Sequence, residues 1–314
     1  MTGPTRHQAE GLAWRATGGG WHVPSSAPTD VVEQRILEQG MRVRRVGAVT
    51  AWAALRWYGA RYFEGVATKD GPGLPVPLLR RAGGRGLSNE VCTISRVQLP
   101  PYDRVFHRGL WCTTPRRAMF DEVVRVGSLR GSVVAVCMAV AAGVTTLDEL
   151  GDYAERRYAW TGIPLFRDAL ILANECFRSP PEVWMYLRWI LDAGLPTPLI
   201  NPPVFSRSGR LLGFPDLFDV EAGVVGEYDG ADHLRDDRRR RDSEREERFR
   251  DHGLEYFRVV KGELTDDAVV HRMHSTRQRA RFLPVESCAW TLDAPAWWEP
   301  PPWLPERYRP ARAA

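Results

Sequence analysis

The apolar positions change period along the chain, and the changes mark its elements. Val31, Val32, Ile36 and Leu37 recur at helical spacing after Thr29-Asp30, and Gly40 closes the run. A second helical face, Val49, Trp52, Ala53, Leu55 and Trp57, runs through residues 46–59, with Gly59 as its cap. Between residues 75 and 130 the pattern breaks into short β-rich runs, PVPLLRR, NEVCTISRV and RGLWCTT, and predicts a small antiparallel sheet. Helical periodicity returns at Thr114-Pro115, with Met119, Phe120, Val123 and Val124 on one side, and continues to about residue 142. Thr146 and Glu149 form a capping signature, and LFRDALILANECF predicts a helix ending near Arg178.

A second series follows. Ser179-Pro180-Pro181-Glu182 reads as a helix start; Val183, Leu187, Ile190 and Leu191 make its apolar stripe, and Gly194 stops it. A weak strand is predicted around PPVF, residues 202–205. Residues 213–230, GFPDLFDVEAGVVGEYDG, are two apolar runs joined by a turn. Val224 and Val225 suit a strand covered on both faces, bracketed by Gly223 and Gly230. The densely charged stretch 232–253 reads as a helix and LEYFRVV, 254–260, as a strand. The order helix, three strands, helix, strand makes the strand-helix-strand step near 224–260 a mixed or parallel pair. Residues 1–30, rich in Gly, Pro, Ser and Thr, are expected to be disordered. Residues 284–314 carry Trp290, Trp297, Trp298 and Trp303 between prolines, and are expected to form an extended arm with its aromatics on a domain surface.

The fold class is therefore α/β: an α+β domain over residues 31–175, then an α/β domain with a central mixed sheet over 176–283, then the Trp/Pro-rich tail. Composition changes this little. The chain has 314 residues, 44% of them hydrophobic, and a net charge of +4 with pI near 8.9, compatible with nucleic acid without pointing to it. The 5 cysteines form no CxxC pair, so zinc is not expected, and their scatter suits reduced thiols in a cytoplasm. The longest apolar stretch, residues 131–144, is too short to span a bilayer, and no signal peptide or membrane partner is expected.

The candidate chemistry lies in the hairpin. Paired as antiparallel strands, it would bring Asp216 and Glu227 together at one edge of a sheet. Adjacent carboxylates repel each other unless a cation sits between them, and oxygen ligands suit Mg²⁺ or Mn²⁺. Such a cation polarises a phosphodiester and activates water. Ordinary surface acids on a solvated hairpin are the other reading. Glu182 has two readings as well, a capping carboxylate or a third acid at a helix end aimed at the metal. Asp229 and His233 stand close behind Glu227, His233 as a general base, a ligand or a surface residue. Arg238, Arg239, Arg240 and Arg241, with Arg245, would either lie along a phosphate backbone or lace a solvated helix.

Pro215-Asp216, Glu227-Tyr228-Asp229 and Glu182 together resemble the PD-(D/E)xK nuclease fold, with Asp229 where that pattern has Lys. Over most of the chain the sequence resembles an actinobacterial family with an AbiEi-type antitoxin-like region and a restriction-endonuclease-like domain related to very-short-patch repair nucleases. VTAWAALRWYGARYFEG, PVPLLRR and RGLWCTTPRRAMFDEV carry the first half. SPPEVWMYLRWILDAGLPTP, PDLFDVEAGVVGEYDGADH, Asp242 with Arg245, and CAWTLDAPAWW carry the second. The resemblance implies a metal-dependent DNA endonuclease acting in phage defence or with a toxin or antitoxin partner. Asp216, Glu227 and Glu182 would be its metal ligands, Asp229 and His233 would assist, and Arg238, Arg239, Arg241 and Arg245 would hold DNA. Two departures, the missing Lys and the lack of an N-terminal winged helix, leave a second reading: a catalytically impaired DNA-binding antitoxin or regulator that keeps the nuclease fold.

Overall fold

The computed structural model describes residues 5–18, 20–43, 46–67, 71–80, 88–230 and 236–310, with the side chains of 236–243 outside the description. The chain is mixed α/β and divides into two compact units, Met1–Ala173 and Asn174–Ala314.

In the first unit a short helix α1 (Arg6–Ala9) precedes an antiparallel pair, β1 (Trp14–Gly18) and β2 (Trp21–Pro24). The segment expected to be disordered is thus structured over these residues. Arg15 in β1 reaches Glu38 of α2 (Val32–Gly40) at 2.6 Å, and that buried carboxylate ties the pair to the rest of the unit.

The helix expected over 46–59 begins late: Gly47–Val49 is a strand, β3, and only Ala51–Tyr58 is helix α3. Gly47 explains the difference. A Cβ there would stand 2.1 Å from the Leu79 carbonyl oxygen, so β3 can lie this close to β4 (Val76–Arg80) only with glycine. With β5 (Cys92–Ser95), β6 (Arg104–His107) and β7 (Leu110–Thr113) these make a five-stranded sheet in the order β5-β4-β3-β7-β6. It is mixed rather than antiparallel, because β4 runs parallel to β5 and β3 parallel to β7.

Helices α4 (Pro115–Val126), α5 (Leu129–Ala141), α6 (Leu147–Glu155) and α7 (Ile163–Leu172) complete this unit, and the Thr146–Glu149 capping box forms as its spacing requires. Their apolar faces share one core with α3 and the sheet, through Trp52, Phe120, Val136 and Phe166. Beside that core lies a buried charge network. Arg117 binds Asp121 at 2.8 Å and faces Asp103 at 3.6 Å, while Arg157 binds Asp103 at 3.0 Å.

The second unit opens with α8 (Pro180–Leu187), whose last turn widens over Arg188–Asp192. A four-stranded sheet follows in the order β13-β12-β11-β8, built from β8 (Leu199–Ile200), β11 (Leu217–Asp219), β12 (Val224–Asp229) and β13 (Glu255–Val260). β11 is antiparallel to both β8 and β12; β12 is parallel to β13, with α9 (Asp236–Asp251) between them in sequence. The strand expected around 202–205 forms as β9 (Val204–Ser206), but in a separate three-stranded sheet with β10 (Leu211–Gly213) and β14 (Trp290–Thr291). The tail is therefore part of the unit rather than an arm laid on it, because Trp290 enters the core beside Phe218 and Phe249. Helix α10 (Asp267–Arg279) packs on β13.

The two faces of β12 are used differently. Gly226 faces the Phe257 ring so closely that a Cβ would sit 2.2 Å from it, and Phe257 stacks on Trp189 at 5.7 Å. Val225, Glu227 and Asp229 face the other way, in register with Tyr256, Arg258 and Val260 of β13. On that face Val225, Phe218, Tyr256 and Phe249 of α9 form an apolar floor, and the polar residues follow toward the end of the strand.

Among the described residues no helix is long and apolar enough to cross a membrane.

Candidate functional site

The antiparallel register pairs Leu217 with Gly226, which sets Asp216, one residue before β11, opposite Glu227. These carboxylates stand at the end of two interior strands and not, as the hairpin alone suggested, at a sheet edge: β8 and β13 flank the pair. Asp216 Oδ2 accepts the backbone N–H of Tyr228 at 2.7 Å, so its side chain leans toward β12, and among the described residues Oδ1 has no hydrogen bond.

Glu227 is buried. Its Oε2 accepts from Arg245 Nη2 of α9 at 2.8 Å and from the Tyr256 hydroxyl at 3.0 Å. Burial raises the Tyr256 phenol, and the Glu227 charge raises it further, so the hydroxyl stays a donor. Glu182, also buried, sits at the start of α8. Its oxygens accept from Ser179 Oγ at 2.7 Å, from the Arg178 amide at 3.0 Å and from Asn201 Nδ2 at 2.8 Å.

Desolvation pushes the Asp216 carboxyl well above the usual carboxylate range; the Glu182 charge and then that of Glu227 add to this, against the Tyr228 amide and Arg245. Glu182 and Glu227 are thus each close enough to act on Asp216 electrostatically. They do not form a ligand set. Among the described residues no three His, Cys, Asp or Glu side chains are placed to hold a metal ion. Glu182 accepts hydrogen bonds on both oxygens, but Ser179 makes no side-chain cap and the capping box its spacing allowed does not form.

Asp216 and Glu227 remain. Mg²⁺ keeps several waters and needs only one or two carboxylates, so a facing pair with an open Asp216 oxygen fits the chemistry of such a cation.

Asp229 lies on the same face of β12, with Arg258 Nη1 3.6 Å from its carboxylate; Arg258 also meets Glu246 at 3.2 Å. A cation from the neighbouring strand thus stands near the position where the nuclease pattern has Lys. The Lys261 backbone amide donates to the Asp229 backbone carbonyl at 3.1 Å. His233 lies outside the described residues, as do the side chains of Arg238, Arg239, Arg240 and Arg241. Arg245, expected to hold DNA, forms an ion pair with Glu227 at 2.8 Å.

Three partners were not foreseen. Tyr256 could have been found, because it alternates with Arg258 on one face of a strand. Asn201 carries no sequence signal: its φ of 49° places it in the left-handed region, and only the fold brings it to Glu182. The Arg245–Glu227 pair needed the path of α9 back across the sheet.

No protein-family model, curated protein or solved structure matches this chain.

Proposed function

We propose that the second unit is a nuclease core of the PD-(D/E)xK kind, and that the protein is a metal-dependent endonuclease hydrolysing phosphodiester bonds in DNA. The observation that carries this reading is the facing of Asp216 and Glu227 on adjacent antiparallel strands, with a buried Glu182 near enough to raise Asp216. Three acids in one partly desolvated place are costly, and a functional site is the usual reason for such an arrangement. The succession α8, β11, β12, α9, β13 supports the same reading.

Asp216 and Glu227 would hold Mg²⁺ or Mn²⁺, which when bound supplies Lewis-acid polarisation of the phosphodiester. The chain does the rest. Tyr228 N–H and Tyr256 O–H fix the two carboxylates, each by one oxygen. Arg245 offsets the charge of Glu227, so that the pair carries less net negative charge toward a phosphate. Arg258 supplies positive charge at the mouth of the site, beside Asp229. Asp216, with its raised affinity for protons, is poised to exchange a proton for a cation.

Supercoiled plasmid with Mn²⁺ tests this. Nicking by the native chain that disappears in Asp216→Ala supports the reading, and equal nicking by both ends it.

One observation favours a second reading. Because Arg245 already compensates Glu227 and the Lys position is Asp229, the unit could serve as a DNA-binding regulator or antitoxin that does not cleave. Such a protein would bind DNA in a salt-dependent, metal-indifferent way. Binding that requires Mg²⁺ and vanishes with Glu227→Ala contradicts it.

A further inference from the structure

The tail ends in a rigid display of one aromatic ring. Residues Pro301 to Leu304 make a tight turn closed by the Leu304 amide on the Pro301 carbonyl, at 3.0 Å, with Pro302 pre-set for its corner. Arg309 braces the turn from outside, its Nε on the Leu304 carbonyl at 2.9 Å and its Nη2 on that of Pro302 at 2.8 Å. Leu304 pins it from inside, buried against Phe205 and Trp298. Trp303, on this fixed turn, stays 41% exposed. A large aromatic held rigidly and left in water pays little conformational entropy on meeting a flat partner.

Its neighbours tie the ring to the carboxylates. Phe214, two residues before Asp216, meets Trp303 edge-on at 4.9 Å. Arg178, whose amide holds Glu182, lays its guanidinium over the Trp303 ring at 4.0 Å. Arg178 is exposed as a residue. A partly exposed indole and a positively charged planar group therefore sit together, beside residues close in sequence to Asp216 and Glu182.

We propose that Trp303 and Arg178 form a nucleotide subsite for single-stranded DNA, the indole stacking on an unpaired base and the guanidinium pairing with its phosphate. The inference rests on the nuclease reading in one respect: it makes the strand delivered to Asp216 and Glu227 an unpaired one. Stacking suits any base, because each has a π-face, so the subsite selects strandedness rather than sequence. The phosphate contact makes binding weaken with salt.

The test is equilibrium binding of short labelled oligonucleotides to the full chain in EDTA, which separates binding from cleavage. The subsite predicts that single-stranded DNA binds more tightly than duplex DNA of the same sequence, and more tightly than an abasic strand of the same length. Trp303→Ala should weaken single-strand binding roughly five- to 150-fold. Trp303→Phe, which keeps a stacking ring, should retain most of it, and Arg178→Gln should flatten the salt dependence. Asp216→Ala should leave binding intact while abolishing any nicking. If Trp303→Ala binds like the native chain, if the abasic strand binds equally well, or if only RNA binds, the proposal is overturned. Trp303-dependent binding by a native chain that nicks no DNA when Mn²⁺ is supplied would instead defeat the nuclease reading and leave the subsite standing.

Discussion

Asp216 and Glu227 face each other across two interior antiparallel strands, and Asp216 takes the amide proton of Tyr228, the residue after its partner. This interlock holds two like charges together through hydrogen bonds from the backbone and from Tyr256, with Arg245 offsetting part of the repulsion.

The first consequence is a pH dependence. The Asp216 carboxyl titrates higher in the folded chain than in the unfolded one, so the folded state holds more protons between the two values. Its contribution to stability is present below the ordinary carboxylate range and is lost as pH rises through the folded value. At neutral pH without divalent metal, Asp216→Asn should therefore melt higher than the native chain. Thermal melts of both, from acid to neutral pH, check this; a lower melting temperature for Asp216→Asn at neutral pH runs against it.

Glu182 is held by hydrogen bonds from three neighbours. Glu182→Ala removes acceptors from the Arg178 amide, from Ser179 and from the buried Asn201, and should cost about 1–3 kcal/mol. Urea unfolding measures the loss. The same substitution should move the Asp216 titration toward ordinary values, because the Glu182 charge is one of its causes.

Arg245→Met leaves Glu227 buried without its guanidinium, and Arg245→Lys cannot reproduce the planar donor. Arg245 is itself partly exposed, so solvent screens the pair, and a loss of about 1–3 kcal/mol is expected for Met in chemical unfolding. Equal stability of native chain and Arg245→Met would show that the pair has no role in holding Glu227.

Gly226→Ala should be destabilising out of proportion to one methyl. The new Cβ meets the Phe257 ring at 2.2 Å, and moving that ring disturbs its stack with Trp189. A cost of about 1–3 kcal/mol is expected from such overpacking, read as a lower urea midpoint for the second unit. A neutral effect would mean the Phe257–Trp189 stack yields.

Much of this arrangement was legible in the residue pattern because it is local. Ser179-Pro180 opens α8, Gly223 takes the left-handed turn at φ 70°, and the alternation of Val225, Glu227 and Asp229 gives the face of β12. Register then follows, since a slip by one residue would turn Val225 out of the core. What escaped the pattern is close approach and distant pairing. Gly47 read as part of a helix because spacing alone does not reveal that a backbone carbonyl lies where its side chain would be. Val204–Ser206 read as the first strand of the main sheet, yet it pairs with β10 and with Trp290 of β14, beyond the last strand of that sheet. The two readings of Glu182, cap or ligand, share one sequence signature, and its bonds to Asn201 and Ser179 could not be read from that signature.

The central claim is that Asp216 and Glu227 share a divalent cation, and Mn²⁺ binding followed by electron paramagnetic resonance tests it most directly. The account predicts one Mn²⁺ site in the native chain, lost in both Asp216→Asn and Glu227→Gln and kept in Glu182→Gln. Native binding that survives Asp216→Asn, or no Mn²⁺ bound at millimolar concentration, would contradict it.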